Sequence, residues 1–264
     1  MTVISAVLSK ECIAISTDSL ITVKEYNTSK VIESKKSKII PFERKRAAIS
    51  YWGLTIYDKF TTYGFIQDHV NRAYDKDDLF TWSQKLGKSL QKELDALTTG
   101  DIGIGMHITG FERIDGYWIP ELILCSNYTD TTYSSTGRIK VTRRSFRHVA
   151  DDREVEKHGD IAYRMQVKKF FDSGRILYFN NGDPLLFNPF ADAMLKGLEI
   201  GKRRRVLNEE DMAKMYRLLL TMCVRNVSEL QTYFFEEGKR IVGGRPHNLS
   251  ISVSGIFASD TGDV

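Results

Sequence analysis

The sequence predicts an α+β chain folded as a four-layer αββα sandwich. Three observations predict it. The elements come in blocks (strands, two helices, strands, two or three helices, a last strand) and not in strict βαβ alternation. Each predicted helix carries one apolar stripe, which sheets in the middle with helix pairs outside would cover. The 264 residues, 42% hydrophobic and 27% charged, are enough for one sizeable core, and no repeat or low-complexity linker divides them. The expectation is one domain over 1–264.

Each element has a local reason. Residues 2–8 and 12–17 are rich in β-branched side chains and are joined by the polar Ser9-Lys10-Glu11. The polar stretch 24–36 reads as a loop or excursion. Strands over 38–42 and 46–52 flank Glu43-Arg44-Lys45. Ile56, Phe60, Tyr63 and Val70 fall on one helical face, as do Leu79, Trp82, Leu86, Leu90, Leu94 and Leu97. Between them Asp75-Lys76-Asp77-Asp78 offers N-capping carboxylates to the second helix.

Strands return over 102–109, 118–126 and 139–148, separated by turn signals such as Asp115-Gly116 and Thr136-Gly137. A helix over 152–172 and a strand over 175–179 follow. One further helix starts at Asn188-Pro189, a cap with proline at the first helical position. Another starts at Asn208, with Met212, Met215, Leu219, Met222 and Val227 on one face. A strand over 249–257 closes the chain after Gly243-Gly244.

Composition excludes several function classes. The formal charge of +4, from 38 basic and 34 acidic residues, is too balanced to imply a nucleic-acid or membrane partner. Cys12, Cys125 and Cys223 lack metal-ligand spacing, and their odd count argues against a disulfide framework. A reduced, cytoplasmic compartment is the simplest expectation. The N-terminus lacks a basic leader, and no window approaches the roughly 20 apolar residues of a membrane span. The five histidines show no ligand spacing, and Gly103-x-Gly105 lies within a strand pattern with no helix after it, so no metal or organic cofactor is expected. The run Lys202-Arg203-Arg204-Arg205 at a helix end complements the helix dipole, with docking of an acidic partner as the alternative.

The candidate chemistry begins at Thr2. Its small side chain permits removal of Met1, which leaves a hydroxyl and a free α-amine on one residue. The hydroxyl needs a base. An α-amine, with an ordinary pKa of about 7.7–8.0, can take its proton. A hairpin of the first two strands brings Thr2 near the end of the second, where Asp18 sits. A lysine on a neighbouring strand, Lys38, can pair with Asp18 and lie beside the amine. Its positive charge lowers the amine's pKa and favours a developing alkoxide.

The segments Thr2-Val-Ile-Ser-Ala-Val-Leu, Ile13-Ala-Ile-Ser-Thr-Asp18-Ser19 and Ser37-Lys38-Ile39-Ile40 resemble the start of proteasome β-type subunits and their bacterial relatives, members of the N-terminal nucleophile hydrolase superfamily. The Thr2-to-Asp18 spacing fits without a gap, and reaching Lys38 takes about four extra residues. The resemblance extends to Ala47-Ala48-Ile49-Ser50-Tyr51-Trp52-Gly53, where Gly53 matches the glycine whose backbone N–H holds the oxyanion.

What the resemblance implies is a proteasome-like αββα hydrolase of the threonine type. It would cleave amide bonds, first of all in peptides, with Thr2, Asp18, Lys38 and Gly53 as catalytic residues. It also implies ring-like homo-oligomers, fed by an ATPase partner. The chain departs from the family in three places. Bulky Tyr51-Trp52 stands where paired small residues are usual. Asn180-Asn181-Gly182-Asp183 lacks the family's serine. Glu236, Glu237, Lys239 and Arg240 stand near the glycine pair without a clear aspartate. Extra material is expected around 143–175. These departures keep two alternatives open, a small-molecule amidase of the same class and a non-catalytic proteasome-like scaffold.

Overall fold

The first two strands, β1 (Ile4–Leu8) and β2 (Cys12–Thr17), are buried along their whole length. Ser9 closes the turn between them: its N–H and hydroxyl both donate to the Cys12 carbonyl, at 2.9 and 3.0 Å, and its hydroxyl accepts from the Cys12 N–H at 3.1 Å. The structure, a computed structural model, describes residues 3–25, 28–33, 37–57, 59–97, 102–129, 136–143, 163–181, 192–193, 195–198, 200, 207–234, 245–255 and 257–260.

The chain continues as a hairpin, β3 (Leu20–Glu25) and β4 (Thr28–Glu33), then β5 (Ile39–Phe42), a 3-10 turn at Glu43–Lys45 and β6 (Ala47–Gly53). Two short strands follow, β7 (Ile56–Tyr57) and β8 (Phe60–Thr61). Helix α1 (Thr62–Asn71) starts at Thr61, whose hydroxyl accepts from the Gly64 N–H. Helix α2 (Leu79–Ala96) starts at Asp78, whose carboxylate accepts from the Thr81 N–H at 2.6 Å.

The long hairpin β9 (Ile104–Ile114) and β10 (Tyr117–Tyr128) turns at Asp115-Gly116, both at positive φ, as a two-residue hairpin loop of this hand needs. Next come β11 (Thr136–Arg143), the described part of α3 over 163–172, and β12 (Leu177–Asn181). Helix α4 is described at 192–193, 195–198 and 200. Helix α5 (Glu209–Phe234) is capped by Asn208, whose side chain accepts from the Asp211 N–H at 2.8 Å. Strands β13 (His247–Ser252) and β14 (Phe257–Asp260) complete the described elements.

Three sheets form: β12-β1-β2-β13-β14, β11-β10-β9-β6-β5, and β4-β3-β7-β8. Apolar residues of the first two sheets share one core, including Ile4, Leu8, Ile15, Ala48, Trp52 and Leu122. The opposite face of the second sheet packs on α1 and α2 through Ile49, Tyr51, Ile66, Leu86, Leu90 and Ile108. The opposite face of the first sheet packs on α4 and α5 through Val7, Ala14, Leu198, Tyr216 and Leu220.

The expected four-layer αββα sandwich of the N-terminal nucleophile hydrolase type is corrected by this architecture, a mixed α/β fold with several mainly antiparallel sheets. Two findings overturn the expectation. The polar stretch 24–36, expected as a loop, supplies part of β3 and β4, which with β7 and β8 build a third sheet containing the parallel pair β3–β7. Helix α3 packs one face, Tyr163, Val167 and Phe171, against the core shared by the two larger sheets. Helical layers confined to the outside do not describe it.

Smaller corrections follow the same physics. Ile56 and Phe60 belong to strands, because the chain pairs with β3 before it coils into α1. The buried stripe of α5 runs through Met212, Tyr216, Leu220, Val224 and Val227, whereas Met222 is 52% exposed. The helix start at Asn188, the basic run at 202–205, the glycine pair at 243–244 and residues 144–162, with the end of one expected strand and the start of an expected helix, lie outside the described residues.

A buried ionic cluster joins four elements. Arg143, at the end of β11, donates from Nη1 to Glu121 at 2.9 Å and to Glu112 at 3.3 Å. Its guanidinium also lies 4.3 Å over the Phe80 ring of α2. Glu112 and Glu121 share a sheet face, since Ile119, two residues before Glu121, is Glu112's partner. Burial raises both carboxyls. Glu121 is pushed up from an ordinary 4.5 to about 8, with Arg143 opposing the rise and Glu112 adding to it. A raised carboxyl binds its proton in the folded chain over a window, from about 4.5 to about 8, where the unfolded chain has released it. Stability therefore falls as pH rises through that window. Glu121→Gln is expected to flatten the fall and to leave the variant more stable than the parent at about pH 9. Urea denaturation across pH checks this, and an unchanged slope would contradict it.

Candidate functional site

The β1–β2 register pairs Ile4 with Thr17, so Val3 and Asp18 are the next pair outward. Their contact is two-way: the Val3 N–H donates to Asp18 Oδ1 at 3.1 Å, and the Asp18 N–H donates to the Val3 carbonyl at 3.2 Å. The hairpin therefore delivers the residue after Thr2 onto the Asp18 carboxylate.

Lys38 comes from the other large sheet, one residue before β5. Its Nζ donates to the same Asp18 Oδ1 at 3.0 Å, with the two side chains 1% and 0% exposed. Removing two charges from water costs several kcal/mol per ion, and only close pairing with further hydrogen bonds repays it. Asp18 Oδ1 has both, one bond from an ammonium and one from a backbone amide. Burial holds the Lys38 ammonium below lysine's usual range, and the Asp18 carboxylate opposes that shift. A lysine so placed is an oriented positive charge at the start of β1. Next to Asp18, the buried Ser19 hydroxyl accepts from the Arg245 N–H at 2.8 Å, tying the approach to β13 onto the same corner.

Gly53 ends β6. The β5–β6 register pairs Ile39 with Ser50, which puts Gly53 two residues beyond the position opposite Lys38. Its φ of 84° lies in the left-handed region. A Cβ there would also collide with the Gly103 carbonyl oxygen. That oxygen accepts from the Leu54 N–H at 2.8 Å and so fixes the chain as it leaves the strand. Gly53→Ala is expected to destabilise the protein by roughly 2–4 kcal/mol from strain and displaced backbone. A thermal melt within a degree of the parent's would contradict this.

Tyr51 and Trp52, the bulky pair before Gly53, spend their bulk on cores. Tyr51 packs with the α1–α2 side, and Trp52 lies between the two larger sheets, 4.5 Å from the His107 ring.

Of the four residues expected from sequence, Asp18 and Lys38 are in direct contact, and Gly53 is linked to them through strand register. Thr2 lies outside the described residues. Sequence reasoning did not name the Val3 amide, Ser19 or Arg245 as part of this corner. Nor did it foresee that β12 runs beside β1, with Asn181 opposite Ile4. Asn180-Asn181-Gly182-Asp183 past residue 179 is turn-like in composition and gave no local signal for that.

Among the described residues, no three of His, Cys, Asp and Glu converge as a metal site, and no helix is long and apolar enough to cross a membrane. No protein-family model matches the chain, and no curated protein matches it.

Proposed function

We propose that this chain is a threonine-type hydrolase of amide bonds, first of all peptide bonds, with Thr2 as nucleophile after Met1 is removed. The observation that carries the reading is the buried Lys38–Asp18 pair, clamped to the backbone of Val3, the residue bonded to Thr2. An ammonium fixed at that point favours the Thr2 alkoxide and an unprotonated Thr2 amine.

In the proposed reaction the Thr2 hydroxyl oxygen attacks the carbonyl carbon, and its proton passes to the Thr2 amine. The tetrahedral oxyanion is held by the Gly53 N–H. The amine then gives the proton to the leaving nitrogen as the C–N bond breaks. An ester remains on Thr2, and water hydrolyses it to free the hydroxyl. Asp18 keeps Lys38 charged and in place.

Resemblance to proteasome β-type subunits supports the same reading. It extends the proposal to a cytoplasmic, ring-forming homo-oligomer that takes peptide substrates from an ATPase partner. The small-amide alternative rested on bulky Tyr51-Trp52. Their rings are buried in the cores, so they supply no argument for it. A panel of fluorogenic peptide amides, tested with protein whose intact mass shows Met1 removed, checks the proposal. Turnover of peptides is expected. Inert protein with Thr2 first in the chain would favour a scaffold instead.

A further inference from the structure

Strand β11 is the edge of the second sheet opposite β5, and its hold on the fold is thin. None of its residues is fully buried. Among the described strands its neighbour is β10 alone, and the register is unbroken only from Lys140 to Arg143, opposite Ser126 to Ile123. On the helix side, α2 comes close at Gly87, where a Cβ would strike Val141, and the Gln91 side chain accepts from the Ile139 N–H at 2.7 Å. At the end of the strand Arg143 reaches inward to the ionic cluster, its side chain 9% exposed.

That cluster is short of positive charge. Glu112 and Glu121, 6% and 1% exposed, both accept from the same Arg143 Nη1. Glu112 Oε1 is buried and accepts no hydrogen bond among the described residues. The other described charges that face the pair are Asp78 at the start of α2 and Arg164 of α3, and these offset each other. With both glutamates ionised, one negative charge among these groups stays uncompensated in a buried place, which is costly. One proton on the pair makes the group neutral and supplies an O–H donor for a carboxylate oxygen.

We propose that Glu112 and Glu121 form a one-proton latch on β11: with the proton held, Arg143 stays docked and the strand stays closed on β10 and α2, and when the proton leaves to water the strand opens locally. Release uncovers the backbone edge of β10 from Ile123 to Ser126, and an unpaired edge can accept another strand. The Lys38 corner lies at the other edge of the sheet, so the latch does not depend on the chemistry proposed for Thr2. Burial raises both carboxyls, that of Glu121 to about 8. The closed strand therefore keeps a proton that the open strand gives up, and opening becomes easier as pH rises toward that value.

Hydrogen exchange of the full chain between about pH 6 and 8, read peptide by peptide and corrected for the intrinsic pH dependence of exchange, tests the latch. Amides of β11 are expected to be less protected than those of β1 and β2, and to lose protection by up to about tenfold per pH unit. Glu121→Gln is expected to flatten that loss. Glu112→Gln, which leaves Glu121 alone with Arg143, is expected to reduce it, and decides the matter if Glu121→Gln does not fold. Protection of β11 that does not change with pH would overturn the proposal. So would β11 amides that exchange only in step with β1 and β2, or a pH slope that the glutamine variants keep.

Discussion

Under the proposed function, Thr2→Ala is expected to lower amide hydrolysis by roughly 10⁴-fold or more and to leave the denaturation midpoint unchanged. The size follows from what is removed. Alanine keeps the α-amine, the Lys38–Asp18 pair and the Gly53 N–H, but no oxygen is left to form the acyl ester. Binding and oxyanion contacts remain, and they do little without the nucleophile. Thr2→Ser restores a hydroxyl and should keep a measurable fraction of activity. Steady-state kinetics on the best peptide amide, with intact mass confirming Met1 removal in each variant, reads the difference. Hydrolysis by Thr2→Ala within a few-fold of the parent would assign the nucleophile elsewhere.

Lys38→Met has the largest expected effect on stability. Methionine nearly fills the volume of the lysine stem but takes the Lys38 ammonium away from Asp18, which is 0% exposed. Breaking one side of a buried ion pair costs roughly 3–5 kcal/mol, because the remaining charge is desolvated without compensation. The Val3 N–H bond to Asp18 remains and offsets only part of this. The double variant Asp18→Asn/Lys38→Met removes both charges and should recover much of the loss. Urea denaturation of the single and double variants measures the coupling. Loss of activity in the double variant despite recovered stability would show that the pair is held for chemistry beyond its structural worth. A single variant within about 1 kcal/mol of the parent would contradict the buried-pair account.

The place of Asp18 beside Val3 was legible in sequence because it depends on local rules, whereas its contact with Lys38 crosses to the other large sheet and was expected from the resemblance. Two β-branched runs joined by Ser9-Lys10-Glu11 can only pair tightly, and counting back from the turn puts residue 18 beside residue 3. The strand pair around Glu43-Arg44-Lys45 then sets Lys38 at the far end of its sheet. The caps at Asp78 and Asn208 were readable for the same reason.

What was not legible depends on distant pairing. The parallel match of Val23 with Ile56 has no local signature, and the lysines, serines and glutamates of 24–36 hide its strands among loop composition. The apolar spacing of Tyr163, Val167 and Phe171 identifies a helix but not the core that receives it. Methionines drew the α5 stripe toward Met222, although tyrosine, leucine and valine one step away fill the core. Asn181 gains its place only because β12 returns to the first strand of the chain.

The most direct test of the central claim is the site of a covalent acyl adduct. The protein is treated with a β-lactone, digested and mapped by tandem mass spectrometry. The account predicts a chain that lacks Met1 and carries one adduct, an ester on Thr2. An adduct on any other residue, or efficient peptide hydrolysis by a chain that still carries Met1, would contradict it.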